Sequence, residues 1–163
     1  MNTTKSISDS LKLLISILLC EAVGIVSGLL SQTNMSVWLA TLNKPSWNPP
    51  SWLFGPVWTI LYALMGLALW LIWKSHADET SKRIALFVFA LQLFLNFWWS
   101  LLFFRFHSPG LALINILLMI GVIIITLFRF APISRKACWL LVPYLLWVCF
   151  AAILNYAIWF MNK

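Results

Sequence analysis

Five apolar runs dominate the chain, near residues 11 to 30, 52 to 73, 84 to 104, 110 to 128 and 137 to 160. Each approaches the ~20 residues that carry a helix across ~30 Å of hydrocarbon, and polar or basic residues collect in the breaks between them. The pattern predicts an all-α integral membrane protein, a single domain over residues 1–163 built as a bundle of five transmembrane helices. Lys5 and Lys12 ahead of an apolar core imitate a signal peptide. No small-x-small cleavage site closes a short apolar region, and the run continues to Leu30, so it is expected to remain as the first span.

The breaks differ in length. Three are short and predict antiparallel neighbours, whereas residues 31–51 form a connection of about 20 residues, longer than compact proteins ordinarily tolerate without a function. Its end runs into "NKPSWNPPSWLFGPVW", from Asn43 to Trp58, with four prolines and three tryptophans. Prolines remove backbone freedom before any ligand arrives, which lowers the ordering cost of a lid. A helix beginning after Pro56 would reach only about 25 Å by residue 73, so the second span is expected to start near Ser51 or Trp52 and bend at Pro56. Pro143 should bend the fifth span, and Ser108 with Pro109 reads as an N-cap followed by a first-turn proline.

Helical spacing selects the inward faces. In the third span Gln92, Asn96, Trp99 and Phe103 fall on one stripe; an unpartnered amide is costly in lipid, so this stripe should face the bundle interior. Interhelical hydrogen bonding alone would also account for the two amides. The fifth span places Tyr144, Trp147, Ala151, Leu154 and Asn155 on one face, and the second places Trp58, Tyr62, Met65 and Leu69. Glu21 lies mid-span in the first helix, on a face with Gly24 and Gly28 that is expected to pack closely against a neighbour.

Composition sharpens this picture. Of 163 residues, 63% are hydrophobic and 9% charged, too few charges to cover a water-facing surface. The formal charge of +7 would raise nucleic acid as a partner in a soluble chain, but here the basic residues sit between apolar runs and act as topology signals. Lys5, Lys12, Lys74, Lys82, Arg83, Arg129, Arg135 and Lys136 fall on the N-terminal side, against Lys44, Arg105 and Lys163 opposite, which predicts a cytoplasmic N-terminus and a lid outside. Cys20, Cys138 and Cys149 lie in apolar stretches with no metal-binding spacing. His76 and His107 lie in connections, and no HExxH, GxSxG or phosphate-cradling loop appears. Ordinary hydrolytic or metal chemistry is therefore not expected. The reactive equipment of the interior is tryptophan, of which there are eleven.

Three segments, "WLATLNKPSWNPPSWLFGPVWTILYALMG", "LQLFLNFWWSLLFF" and "PYLLWVCFAAILNYAIW", resemble the translocator protein family, also called tryptophan-rich sensory proteins and peripheral benzodiazepine receptors. The resemblance covers roughly residues 38 to 159. It implies a five-helix bundle whose first loop closes a pocket for porphyrins, haem-like tetrapyrroles and isoquinoline or benzodiazepine-type ligands, with a role in regulating tetrapyrrole metabolism. No cofactor is implied beyond porphyrin or haem as ligand. By motif, Trp58 and Trp147 correspond to pocket tryptophans implicated in light-dependent protoporphyrin breakdown, Asn96 and Trp99 to further pocket residues, and Trp38, Lys44, Pro45, Trp47 and Trp52 to the lid and its hinge. Phe54, Gly55, Tyr62, Gln92, Ala151 and Leu154 complete the expected ligand-binding set.

The chain departs from the family pattern at Leu39, Leu111 and Asn115, which bears on ligand preference. Near the C-terminus Phe160 occupies the basic position of a proposed cholesterol motif, so no cholesterol site is expected. The resemblance also implies a homodimer, and the absence of a targeting extension points to a bacterial plasma membrane. Transport of porphyrins or other hydrophobic solutes, and Trp-dependent porphyrin degradation, are the alternatives to a receptor; one intramembrane ionisable residue and no inverted repeat weigh against a transporter.

Overall fold

The computed structural model of the chain describes residues 8–32 and 35–163; Lys5, one of the topology signals, lies outside them. The described residues form six helices and no strand: α1 Asp9–Ser31, α2 Met35–Thr41, α3 Ser51–Trp73, α4 Glu79–Ser100, α5 Pro109–Phe130 and α6 Arg135–Met161. All but α2 are long and apolar enough to cross a membrane, and they coincide with the five runs.

Local chemistry sets their ends. Ser8, Asp78 and Ser134 accept the backbone N–H of Leu11, Ser81 and Ala137 at 3.3, 2.8 and 3.3 Å, capping α1, α4 and α6. Helix α3 starts at Ser51 as expected and contains Pro56; α6 contains Pro143. Ser108 and Pro109 hold the cap and first-turn positions of α5, but the Ser108 side chain makes no capping bond. The third span does not end as an α-helix. Leu101–Arg105 widens into a π-helical turn, closed by Phe106 N–H to the Leu101 carbonyl at 2.8 Å, and His107 follows with φ 51°.

The expected loop over 31–51 holds a helix of its own, the seven-residue α2. Thr41 Oγ1 donates to the Trp38 carbonyl at 2.7 Å, and the Trp38 ring stacks on His107 at 4.6 Å and meets Phe103 edge-on at 5.3 Å. So short a helix persists because its aromatic residue is anchored on the bundle. Beyond it, Asn43 is tied to the end of α6: its N–H donates to Asn162 Oδ1 and its carbonyl accepts from Asn162 Nδ2, both at 2.9 Å.

The spanning helices pack in a ring, α1 beside α3, then α6, α5 and α4, with α4 returning to α1. Helices α3 and α4, although joined by a short turn, touch only sparsely, contrary to the simple expectation for adjacent spans. Between them lie the buried Tyr62, Asn96 and Trp99 and a cavity. The two ends of the bundle therefore differ. Toward the N-terminal end the interior is solid, with Phe89 stacked on Phe130 at 5.7 Å and Met65, Ile72, Met119, Ile123 and Leu141 sealed from solvent. Near mid-bundle α1 and α3 meet backbone to backbone: a Cβ on Gly66 would lie 2.6 Å from Ile17 Cα.

Candidate ligand-binding site

Toward the lid end, the interior opens into a cavity of about 360 Å³, within the ~300–1,000 Å³ range of small-molecule sites. Helix α1 contributes Glu21, Gly24, Gly28 and Ser31; α3 contributes Phe54, Gly55, Trp58 and Tyr62; α4 contributes Asn96, Trp99 and Ser100. Phe104 of the π turn and Met35 of α2 close the lid end. A second chamber of about 150 Å³ lies between the lid and α6, lined by Leu39, Lys44, Asn48, Ala151, Leu154 and Asn155 among others. Met35, Phe54, Trp99 and Phe104 line both, so these four side chains form a partition.

The aromatic wall is continuous. Trp58 lies 5.5 Å from Tyr62, stacked, and 6.4 Å from both Trp99 and Tyr144, while Trp99 stacks on Phe103 at 5.7 Å. Such spacings are those of attractive ring pairs. Beneath the rings runs a directional hydrogen-bond chain. The Tyr62 hydroxyl donates to Asn96 Oδ1, Asn96 Nδ2 donates to the Tyr144 oxygen at 3.2 Å, and the Tyr144 hydroxyl donates to Gln92 Oε1 at 2.8 Å. Trp99 Nε1 donates to Asn155 Oδ1 at 3.1 Å, and Asn155 Nδ2 to the Pro109 carbonyl at 2.8 Å. The amides thus knit α3, α4, α5 and α6 together, as polar groups inside a bilayer must.

The predicted residues separate into groups. Phe54, Gly55, Trp58, Tyr62, Asn96 and Trp99 line the larger chamber; Lys44, Ala151 and Leu154 line the smaller. Gln92 is buried one turn below Asn96, at the end of the hydrogen-bond chain and outside both chambers. Trp147 stands behind the partition, 6.0 Å from Phe54 and 5.3 Å from Phe150, with its indole N–H buried and unpartnered. Trp38 anchors the lid helix without lining a chamber, Trp47 meets Phe150 edge-on at 6.1 Å, Pro45 accepts the Asn48 N–H in a turn at 3.0 Å, and Trp52 is 72% exposed.

Helix α1 supplies a wall that the aromatic stripes did not announce. Of the Gly24 and Gly28 face, for which the spacing predicts close packing against a neighbour, only Gly24 packs so: a Cβ there would collide with the Tyr62 ring, whereas one on Gly28 would meet nothing within 4 Å. Gly28 borders the chamber because α1 and α3 diverge above Tyr62. Among the described residues no group of three or more His, Cys, Asp or Glu side chains is placed to hold a metal ion.

Comparison with known proteins gives the family. The TspO/MBR family matches residues 16–160. The chain is 43% identical over 152 residues to the tryptophan-rich protein TspO of Chlorobaculum tepidum, covering 93% of this chain and 96% of that one. It is 40% identical over 152 residues to the tryptophan-rich protein TspO of Archaeoglobus fulgidus, covering 93% and 97%. Human translocator protein is 42% identical over 123 residues, covering 75% of this chain and 73% of its own. With the family matched over most of its length and five membrane-spanning helices ringed around an aromatic chamber, this chain is an integral membrane protein of the TspO/MBR family.

Proposed function

We propose that the protein is a membrane receptor for flat, apolar ring systems, tetrapyrroles such as protoporphyrin foremost and isoquinoline- or benzodiazepine-type compounds in the same space, and that it serves regulation of tetrapyrrole metabolism. The observation that carries this reading is the chamber walled by Phe54, Trp58, Tyr62, Trp99 and Phe104. Faces of this kind stack against a planar guest, and the partition consists of side chains whose rotation joins the two chambers. Lys44, exposed at the rim of the smaller chamber, offers a cation to the carboxylate tails of a porphyrin. The basic end opposite the lid, with Lys74, Lys82, Arg83, Arg129, Arg135 and Lys136, favours a cytoplasmic N-terminus and a lid on the outer side, in a bacterial plasma membrane.

Titration of the protein in lipid nanodiscs with protoporphyrin, followed by tryptophan emission, tests the reading. Saturable quenching is expected, with Trp58→Leu weakening the affinity about tenfold, since ~1.4 kcal/mol of lost ring contact corresponds to one decade. Trp52→Leu, on the outer surface, should leave affinity unchanged. Unsaturable quenching, or equal effects of both substitutions, would refute it. If light-dependent porphyrin breakdown also occurs, Trp58→Phe should slow it more than Trp147→Phe, because Phe54 stands between Trp147 and the larger chamber.

A further inference from the structure

The contacts between α1 and α3 are uneven along their length. Near mid-bundle the helices press together: Gly66 admits the Ile17 backbone, and Gly24 admits the Tyr62 ring. One turn further along α1, and two turns toward the start of α3, the same pair carries Gly28 and Gly55, and a Cβ on either would find no neighbouring atom within 4 Å. Both glycines line the larger chamber. So do Ile25 and Thr59, although Ile25 is 59% exposed and Thr59 is exposed as well. Residues that border an internal chamber and the outer surface together mark an opening. Its outer flank is apolar, with Val26, Leu29 and Leu30 exposed beside it on α1, which places it against acyl chains rather than water.

We propose that the chamber communicates sideways with the bilayer core through this slot between the lid-side halves of α1 and α3, that hydrophobic ligands reach it by that route rather than past the lid, and that a phospholipid acyl chain fills the slot when no ligand does. The route rests on the reading of the chamber as the ligand site; the acyl chain does not. The lid side is held by Asn43 with Asn162 and by Trp38 on His107, whereas at the slot a Cβ on Gly28 or on Gly55 would meet no described atom within 4 Å. A tetrapyrrole or isoquinoline partitions into the membrane, and an access path opening onto hydrocarbon spares it a return to water. In the absence of such a guest the solvent at that depth is lipid, and an apolar crevice loses dispersion contact unless a chain occupies it.

The test uses substitutions that the geometry accommodates. Gly28→Phe and Gly55→Phe each add a ring at the slot from a Cβ that has no neighbour within 4 Å, and Gly121→Phe is the control, because a Cβ there is equally free but Gly121 lies on the exposed face of α5 away from the chamber. Stopped-flow tryptophan quenching with protoporphyrin delivered from donor vesicles should show association slowed about tenfold by either plug, as for an obstructed path. Gly121→Phe should leave it unchanged. Unaltered rates in the plugged variants would overturn the route; so would weaker binding through faster dissociation alone, which marks a ring crowding the ligand itself. A second measurement needs no ligand. Phospholipids brominated on the acyl chain should quench the share of emission due to Trp58, taken as the difference from Trp58→Phe, and Gly28→Phe should relieve it. Absence of that quenching would overturn the acyl-chain occupant, whereas absence of saturable protoporphyrin binding in the unsubstituted protein would refute the proposed function instead.

Discussion

The Tyr62–Asn96 hydrogen bond joins α3 to α4 across a gap where these helices otherwise touch sparsely, so its removal should be measurable. Asn96→Leu keeps approximate volume and leaves the Tyr62 hydroxyl without an acceptor. Tyr144 loses only a donor, at 3.2 Å, and still donates to Gln92. Interhelical hydrogen bonds in bilayers average ~0.6 kcal/mol with a maximum near ~1.7 kcal/mol, and an orphaned buried donor costs ~1–3 kcal/mol, so the variant should lose about 2 kcal/mol. Tyr62→Phe orphans Asn96 Oδ1 instead and should lose about 1 kcal/mol by the same rule. Because each variant already forfeits the shared bond, the double variant should also lose about 2 kcal/mol, which gives a coupling of about 1 kcal/mol. Equilibrium unfolding in mixed micelles, followed by helical circular dichroism, reads all four proteins. Losses that add within about 0.3 kcal/mol would show that the two side chains are not energetically linked and would refute the reasoning.

Three further outcomes follow from the same geometry. Gly66→Ala forces α1 away from α3 at Ile17 Cα, and overpacking of this kind should cost about 1–3 kcal/mol in the same unfolding assay, whereas Gly121→Ala should cost nothing. Asn162→Ala removes both bonds to Asn43 and should raise amide exchange over residues 42–48 severalfold without shifting global stability. His107→Ala withdraws the ring that stacks on Trp38 and should loosen α2, read as faster exchange at Met35–Thr41; unchanged exchange there would mean that Phe103 alone holds the lid helix.

The spans were legible because hydrocarbon thickness imposes a length that few other constraints mimic, and the start of α3 at Ser51 followed from the same arithmetic. The stripe of Gln92, Asn96, Trp99 and Phe103 was legible as well, and all four are buried. What the period could not reveal was partners. That Asn96 receives Tyr62 and serves Tyr144, or that Trp99 reaches Asn155, depends on rotation and depth of neighbouring helices, which no single helix encodes. The seven-residue α2 escaped because so short a helix owes its existence to tertiary contact at Trp38. Gly24 and Gly28 looked alike in sequence and differ in the fold because α1 and α3 part between them. Trp147, grouped with the inward face of α6, lies behind Phe54 for a similar reason: period fixes a face to within a sector, and Phe54 on another helix decides what that sector meets.

The account stands on the chamber between α1, α3 and α4 being the place where a planar guest is held. A structure of the protein with protoporphyrin in nanodiscs tests this most directly. The account predicts the macrocycle in van der Waals contact with Trp58 and Trp99, its carboxylates toward Lys44 and the lid. A macrocycle bound on the outer surface, against Trp52 or Trp139 for instance, with the Trp58 and Trp99 rings unmoved and untouched, would contradict it.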